Sequence, residues 1–285
     1  MRLSCTAPSP FQPIRPAMHP LVNIAVMAAR AAGNSIMRSF DRADQLQVER
    51  KSRNDFVTQV DRGAEAEIIR TIRKAYPDHA ILAEESGESE GASGGGGSNE
   101  VTWIIDPLDG TTNFLHRLPH FAVSIGVQVK GRLEHGVIYA PCTQDLYCAS
   151  RGAGAVLNNR RIRVSPCKEL NSALIGTGVP LREEHLDRYL PMLRNVAAET
   201  SGVRRAGAAA LDLAYVAAGR LEAFWELNLQ PWDVAAGIVL VQEAGGVVRE
   251  LDGGSDVLAT GNILASNMQL ADAVHELLPQ RRTPT

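Results

Sequence analysis

The chain has 285 residues, of which 45% are hydrophobic and 21% are charged, and its formal net charge is −3 at pH 7. This composition is typical of a soluble globular protein with a sizeable core, and the overall charge gives no reason to expect direct DNA binding. No apolar run approaches the roughly 18 residues that a membrane-spanning helix needs. Four cysteines without C-x-x-C spacing indicate reduced thiols in a cytoplasmic protein and no zinc site.

The amino-terminal part divides into a proline-rich leader and two helices. Residues 1–17 contain four prolines and no signal-peptide core, so we predict a disordered leader or a start codon placed too early. Apolar residues at helical spacing predict a helix from Pro20 to about Phe40 and another from Gln59 to Tyr76, which Pro77 ends. Between them, Lys51 to Asp61 is rich in turn formers and charge and is expected to lie at the surface.

Two short buried strands each end in acidic residues. Ala80–Ala83 leads into Glu84 and Glu85, and Val101–Ile105 leads into Asp106. A carboxylate at the end of a strand can project into a cleft rather than into the core. The segment between the strands, 87–99, contains six glycines and is expected to be a mobile loop, with a functional base and a tolerated insertion at its tip.

The sequence after the second strand offers groups for cations and for an anion. Pro107 lacks an N–H and is expected to end the strand, while Gly110 lets the backbone come close to a ligand. Thr111 and Thr112 are good caps for a helix that begins there, and its free N–H groups would bind an anion. On its own, this motif is equally typical of an exposed turn in front of a capped helix.

Short strands dominate the middle of the chain. Phe121–Val129 and Leu133–Tyr139 predict a hairpin, and further strands are predicted at 145–150, 155–157 and 162–164. His116 and His120 have the spacing of two ligands on a helix, but Pro119 argues against a regular helix that carries both. Packing or loop hydrogen bonds are therefore favoured there over metal binding.

Beyond Ser165, strands alternate with helices, which predicts a sheet covered by helices. The predicted strands are 173–177, 221–225, 246–251 and 263–266, and the predicted helices are 183–198, 208–219, 235–243 and 269–278. Glu226 ends one of these strands, and Asp233 falls in the first turn of a helix that Pro231 opens. Either acid alone is more typical of an ordinary surface carboxylate.

Together, these segments predict a metal-assisted phosphate site. Carboxylates gathered in one place repel each other, so they need cations in order to be ionised together. All-oxygen ligands favour Mg²⁺ over Zn²⁺. A helix start beside them suits the phosphate of an ester.

Three motifs in this chain resemble the signatures of the inositol monophosphatase family and stand in the family's order. They are Ala83-Glu84-Glu85-Ser86, Asp106-Pro107-Leu108-Asp109-Gly110-Thr111-Thr112 and Pro231-Trp232-Asp233-Val234-Ala235-Ala236. The resemblance runs from about Met18 to about Leu278 and is strongest to bacterial inositol-1-monophosphatases. It implies a five-layered αβαβα sandwich in one phosphatase domain, 18–285, with two closely joined halves at about 18–160 and 161–285.

The resemblance also implies a role for each site residue. One Mg²⁺ would be bound by Glu84, Asp106 and the Leu108 carbonyl. A second would be bound by Asp106, Asp109 and Asp233. A third, weaker ion would lie near Glu84 and Glu85. Glu84 and Thr111 would orient a metal-activated water, with Asp61 hydrogen-bonded to Thr111. Gly110, Thr111 and Thr112 would bind the phosphate, and Glu226, Gly207 and Ala209 the leaving group. Many members carry a hydroxyl residue where this chain has Ala208.

The expected activity is the hydrolysis of inositol-1-phosphate to inositol and phosphate, with inhibition by Li⁺. Histidinol phosphate, 3′-phosphoadenosine 5′-phosphate and a sugar phosphate are alternative substrates. A different alternative is a largely non-catalytic partner of the transcription machinery, because relatives in this subgroup act as such partners. Arg204 and Arg205 could serve that role, although an ordinary solvated pair is the simpler interpretation. A homodimer is expected.

Overall fold

The computed structural model describes residues 18–42, 50–91, 100–180, 185–254 and 256–279, with the side chains of 42 and 50–58 left out. The predicted leader, the tip of the glycine-rich loop and the predicted start of the helix at 183 lie outside the described residues. No helix within the described ranges is both long enough and apolar enough to cross a membrane.

Eight α-helices and thirteen strands make up the described part of the chain. The helices are α1 Pro20–Arg42, α2 Arg50–Ala75, α3 Thr111–Leu115, α4 Leu186–Glu199, α5 Ala209–Ala217, α6 Pro231–Glu243, α7 Val257–Thr260 and α8 Ala271–Glu276. The strands are β1 Ala80–Ala83, β2 Gly87–Ser89, β3 Val101–Asp109, β4 Ala122–Val129, β5 Arg132–Ala140, β6 Asp145–Ser150, β7 Gly154–Leu157, β8 Arg160–Arg161, β9 Leu174–Thr177, β10 Gly202–Arg204, β11 Ala223–Glu226, β12 Gly246–Glu250 and β13 Ile263–Asn267.

The strands form two separate sheets. The first, sheet A, has the order β2-β1-β3-β4-β5-β6-β7-β8, and all its neighbours are antiparallel except the parallel pair β1 and β3. The second, sheet B, has the order β10-β9-β11-β13-β12, with β9, β10 and β11 parallel and β13 antiparallel to both of its neighbours.

Helices cover both sheets, so that five layers result. The stripe of small residues on α1 and the inner face of α2 pack on one face of sheet A, in a cluster that contains Ala25, Ala32, Ile68 and Trp103. Helices α5 and α6 lie between the sheets, and α4 and α8 cover the far face of sheet B around Tyr189 and Trp225. This arrangement confirms the αβαβα sandwich.

Several predicted boundaries were wrong. The helix predicted from Gln59 begins at Arg50, so the supposed surface segment is helical, and it contains no proline or glycine before Gly63 that would oppose a helix. Strand β3 continues through Pro107 to Asp109. The strand expected at 162–164 lies at Arg160–Arg161 instead, and the short elements β2, β10 and α7 were missed.

The central helix α6 lies unusually close to sheet A. A Cβ atom at Gly136 in β5 would overlap the carbonyl oxygen of Ala236, and one at Gly126 in β4 would lie 2.6 Å from the Cβ of Ala235. Ala235 and Ala236 are fully buried. Because glycine faces alanine at this contact, the start of α6 can lie directly against the sheet.

We expect Gly136→Ala to lower the stability of the fold, because the added methyl group must push the backbone of α6 away from β5. Overpacking of this kind costs about 1–3 kcal/mol. The matched control is Gly63→Ala in α2, where nothing lies within 4 Å of the added Cβ. Since alanine is the better helix former by about 0.5–1 kcal/mol, that variant should be as stable or more stable. The thermal unfolding of both variants would be measured. A Gly136→Ala variant that melts at the wild-type temperature would contradict this account of the contact.

Candidate active site

Asp106 and Asp109 lie on an irregular stretch of β3. Asp106 pairs with Ser124 of β4 and Asp109 with Ala122, so that three steps along β3 match two along β4. This bulge turns two acids of one strand toward one site, where a regular strand would send residues three apart to opposite faces. Asp106 is 2% exposed and its Oδ1 accepts a hydrogen bond of 2.9 Å from the N–H of Leu108.

Two further acids come from other segments. Strand β1 pairs in parallel with β3, Ala83 opposite Ile105, and the N–H of Glu84 donates to the Ile105 carbonyl at 3.2 Å. Glu84 therefore follows its strand beside Asp106. Asp233 stands in the first turn of α6, where its Oδ2 accepts a 2.7 Å hydrogen bond from the N–H of Gln230.

The four acids form one electrostatic cluster. Burial, and then the charge of Asp109, raises the pKa of Asp106 well above its usual range. Desolvation, and then the charge of Asp233, raises the pKa of Asp109 to about 7. The pKa of Glu84 rises to about 7 and that of Asp233 to about 6, chiefly through desolvation at the cleft. Glu84 and Asp233 both lie within hydrogen-bonding reach of Asp106.

This donor set fits hard cations. Four carboxylates from three segments repel each other and are only partly solvated, which is the chemistry that Mg²⁺ or a similar ion relieves. Among the described residues, no three His, Cys, Asp or Glu side chains are already grouped around one point as a metal site. After burial, the charges of Asp109, Glu84 and Asp233 all raise the pKa of Asp106, so a cation held among them would relieve this repulsion.

The expected phosphate loop lies beside the acids. Gly110 lies just before α3 and has a φ of 92°. A Cβ there would lie 2.9 Å from the carbonyl oxygen of His120. Only glycine fits this position comfortably. The prediction that Thr111 and Thr112 cap the helix was wrong, because Gly110 is the cap and no side chain bonds the helix start. Free N–H groups at the start of α3 remain available for an anion.

The hydroxyl of Thr111 has a different partner from the one that the resemblance implies. It donates to the carbonyl oxygen of Leu108 at 3.0 Å. Asp61 lies in α2, 6% exposed, and its Oδ1 has no hydrogen-bond partner among the described residues. Burial, and then the charges of Glu85 and Glu84, raises the pKa of Asp61 to about 8. Asp61 is thus placed beside the acid cluster without the predicted bond to Thr111.

Glu85 is held by α2. Its N–H donates to Oε2 of the buried Glu65 at 2.9 Å, and its carboxylate lies 3.4 Å from the guanidinium of Arg62. The role of Glu85 at a third metal ion stays a prediction, and that ion would have to compete with Arg62.

Asn113 joins α3 to the segment that precedes α5, a role that the sequence reasoning missed. Its buried Nδ2 donates to the carbonyl oxygens of His120 at 2.7 Å, Ala206 at 2.9 Å and Gly207 at 3.3 Å. In the same place the N–H of Ala210, at the start of α5, donates to Oδ2 of Asp109 at 2.8 Å. The only signal in the sequence was the position of Asn113 directly after the predicted phosphate motif.

The expected leaving-group residues line the other side of the site. Glu226 ends β11 as predicted, and a Cβ at Gly178 would overlap its carboxylate, so the side chain lies directly on that glycine. Burial, and then the charges of Asp109 and Asp233, raises the pKa of Glu226 to about 8. Ala209 opens α5, and Gly207 has a φ of 82°.

The two histidines do not share a site. His116 is exposed at the end of α3, whereas the half-buried ring of His120 lies 6.0 Å from that of Tyr215. This is the packing role that the sequence favoured for His120.

Known proteins resemble the chain over most of its length. The model of the inositol monophosphatase family matches residues 17–283. The chain belongs to the inositol monophosphatase family. It is 54% identical over 260 residues to "Nus factor SuhB" of Pseudomonas aeruginosa, covering 90% of this chain and 95% of that protein.

Solved structures of the same family share the fold. One is the extragenic suppressor protein SuhB of Bartonella henselae, 46% identical, with a TM-score of 0.84 and coverage of 92% of this chain and 99% of that one. Another is the inositol monophosphatase of Anabaena, 40% identical, with a TM-score of 0.80 and coverage of 92% and 97%. The family supports a phosphatase, and its members are generally metal-dependent.

We expect Asn113→Ala to weaken both the fold and phosphatase activity. Three carbonyl oxygens at the junction lose their donor, which costs about 1–3 kcal/mol, and α3 is freed to move relative to α5. Thermal unfolding and phosphate release would be measured on the same preparation. Asn195→Ala, which removes a single exposed bond to the Leu277 carbonyl, is the control and should behave as wild type. Wild-type stability and turnover in Asn113→Ala would show that this bond network is dispensable.

Proposed function

We propose that this chain is a Mg²⁺-dependent phosphomonoesterase that hydrolyses inositol-1-phosphate to inositol and phosphate by direct attack of water. The observation that carries the proposal is the convergence of Glu84, Asp106, Asp109 and Asp233 beside the start of α3. Glu84 lies near Asp106 and Asp109 because β1 pairs in parallel with β3. Asp233 comes from the first turn of α6. Membership of the inositol monophosphatase family supports the same reaction.

Each group in the site has a task in this reaction. Cations held here would neutralise charge and lower the pKa of the attacking water. Glu84, Asp106 and the Leu108 carbonyl would hold one of them, and Asp106, Asp109 and Asp233 would hold the other. The backbone N–H groups at Gly110, Thr111 and Thr112 would hold the phosphate oxygens at the helix start.

Three residues would orient the attacking water: Glu84, Thr111 and Asp61. Glu84 would accept a hydrogen bond from the water. The Thr111 hydroxyl would have to exchange its bond to Leu108 for one to the water or to Asp61. Asp61 stands near enough to the cluster to respond to Glu84 and Glu85. The proposal also includes inhibition by Li⁺, a third metal ion near Glu85 and assembly into a homodimer.

A second candidate function is that of a transcription-complex partner. The observation in its favour is the name "Nus factor" of the relative from Pseudomonas aeruginosa, which is 54% identical. Complementation of a host that lacks its own homologue separates the two roles. Rescue by the wild type but not by an Asp109→Asn variant supports the enzyme, and equal rescue by both supports the non-catalytic partner.

We expect phosphatase activity to vanish in EDTA and to return with Mg²⁺, because the four acids cannot stay ionised together without cations. Ca²⁺ should restore little, since its larger and looser coordination shell does not hold the reacting oxygens in line. Asp109→Asn should lower kcat by about a hundredfold or more, by analogy with the removal of one preorganised charge-stabilising group. The matched control is Asp187→Asn, an exposed acid on α4. Full turnover after exhaustive dialysis against EDTA would rule out the metal-dependent reaction.

We expect Glu226→Gln to impair selectively the hydrolysis of inositol-1-phosphate. The change keeps the shape of the side chain but weakens an acceptor of hydrogen bonds from ring hydroxyls. Above its pKa of about 8 the carboxyl is ionised, and a charge-assisted bond to it is worth about 1.5–3 kcal/mol, so the comparison is made at pH 9. The specificity constant for inositol-1-phosphate should fall about ten- to a hundredfold, while p-nitrophenyl phosphate, which has no ring hydroxyls, should be cleaved nearly as before. Glu276→Gln, an exposed acid of α8, serves as control. An equal loss on both esters would place Glu226 with the metals or the fold instead.

A further inference from the structure

The predicted ligands Glu84 and Glu85 lie on a tight turn between two strands. Strands β1 and β2 pair in an antiparallel manner, and residues 84–86 connect them. The N–H of Glu84 donates to the Ile105 carbonyl of β3 at 3.2 Å. The turn is therefore tied to sheet A at its first residue.

The middle of this turn is tied to helix α2. The N–H of Glu85 donates to Oε2 of Glu65 at 2.9 Å. Glu65 is 3% exposed and follows Asp61 by one helical turn, so both acids lie on the same face of α2. A hydrogen bond from a backbone N–H to a carboxylate is charge-assisted and is stronger than a neutral one. Glu65 thus fixes the turn at its second residue.

The carboxylate of Glu84 depends on this turn more than the other predicted ligands do. Asp106, Asp109 and Asp233 are each held through a carboxylate oxygen, which accepts from a backbone N–H. Glu84 is held through its own backbone N–H, so its carboxylate moves with the turn. A shift of the backbone at Glu85 would therefore displace a predicted metal ligand.

The charge of Glu65 is unfavourable for a purely structural role. Desolvation is the main cause of the raised pKa of Asp61 and of Glu84, and the charge of Glu65 adds to both. A neutral acceptor could hold the same N–H without repelling these acids. Bound cations would offset the repulsion, and buried groups that orient metal ligands are typical of cation sites. Glu65 therefore belongs with the site rather than with the packing of α2.

Glu67, two residues further along α2, provides a contrast. Its carboxylate oxygens accept hydrogen bonds of 2.7 and 2.6 Å from Nη2 of Arg70, and its side chain is partly exposed. It is not among the charges that act on Asp61 or Glu84. The loss of its charge would change α2 without affecting the turn.

We propose that Glu65 is a positioning residue, which holds the turn of Glu84 and Glu85 in the conformation that binds cations. This inference rests on the proposed phosphatase function and assigns the residue that supports one of its ligand segments. The placement of the acceptor oxygen of Glu65 should then matter more for cation binding than its charge.

Two substitutions separate placement from charge. Glu65→Gln keeps an acceptor oxygen at the same reach and removes the charge, whereas Glu65→Asp keeps the charge and draws the acceptor back by one methylene group. Glu67→Gln is the matched control. The probe is Mn²⁺ alone, a cation that favours oxygen ligands and whose free form is measured by electron paramagnetic resonance. Its titration gives the number of bound ions and their Kd.

We expect Glu65→Asp to raise the Kd of at least one Mn²⁺ ion by about ten- to a hundredfold, the usual effect of losing a group that orients a metal ligand. Glu65→Gln should raise this Kd less, and Glu67→Gln should leave it at its wild-type value. In phosphate release, Glu65→Asp should need more Mg²⁺ for half-maximal activity. The KM for the ester at saturating Mg²⁺ should stay unchanged, because a higher cation concentration compensates for a weaker site.

Several outcomes would overturn the proposal. An unchanged Mn²⁺ affinity in Glu65→Asp would make Glu65 a packing residue. A loss in Glu65→Gln as large as that in Glu65→Asp would assign the effect to charge, and an equal loss in Glu67→Gln would assign it to α2 as a whole.

Thermal unfolding in EDTA shows whether each variant folds. If Glu65→Asp does not fold, Glu65→Gln decides alone: a Kd raised by about tenfold or more overturns the proposal, and a smaller rise supports it. When the positioning role fails, the proposed function still stands if the wild type binds Mn²⁺ and cleaves inositol-1-phosphate. If the wild type binds no Mn²⁺, the metal-dependent phosphatase proposal fails as well.

Discussion

Mutual repulsion among the four acids beside the start of α3 is the constraint to which the structure is adapted. Asp106 and Asp109 are almost fully buried, and Glu84 and Asp233 stand beside them, so that each raises the free energy of ionising the others. A protein that needed only stability would place apolar side chains here. Three of the four carboxylates are anchored by a backbone N–H: Asp106 by Leu108, Asp109 by Ala210 and Asp233 by Gln230. Such anchors fix the positions of the carboxylates and leave their remaining oxygens for cations.

The layered fold supplies those anchors from distant parts of the chain. Helix α6 packs on sheet A on one side and on β12 and β13 of sheet B on the other, so its first turn is held at the boundary of the two sheets. The close contact at Gly126 and Gly136 lets that turn reach the end of β3. The start of α5 also contacts the end of β3, where the N–H of Ala210 donates to Asp109. Both α5 and α6 carry small buried residues, which pack closely and have few rotamers. The two helices therefore have little freedom to shift relative to β3.

The sequence predicted which segments carry the site acids better than it predicted where the strands end, since β3 was expected to end at Ile105 and runs to Asp109. Glu84, Asp106 and Asp233 could be placed in one site because each follows or opens a run of residues with a clear apolar pattern. The bulge at Pro107 could not be foreseen, since proline usually ends a strand, and the bulge depends on how β4 pairs with it. The start of α2 at Arg50 was missed because its residues are weakly helical and carry charge. Arg204 and Arg205 are adjacent in sequence, and only tertiary contacts distinguish them: Nη1 of Arg204 donates to the Val203 carbonyl at 3.1 Å, whereas Nη1 of Arg205 lies 3.0 Å from where a Cβ at Gly207 would be.

The proposed leaving-group residue and the predicted metal ligands come from different parts of the fold. The ligands come from β3, the start of α6 and the segment after β1, whereas Glu226 ends β11 of sheet B. Glu226 can lie where it does only because residue 178 is glycine, since any side chain there would displace the carboxylate. In the proposed function, a change at Gly178 or Glu226 would therefore alter which alcohol is released without moving a predicted metal ligand. Because Asn113 ties this region to α3 through three carbonyl oxygens, the two parts can differ in specificity and still keep one geometry at the scissile phosphate.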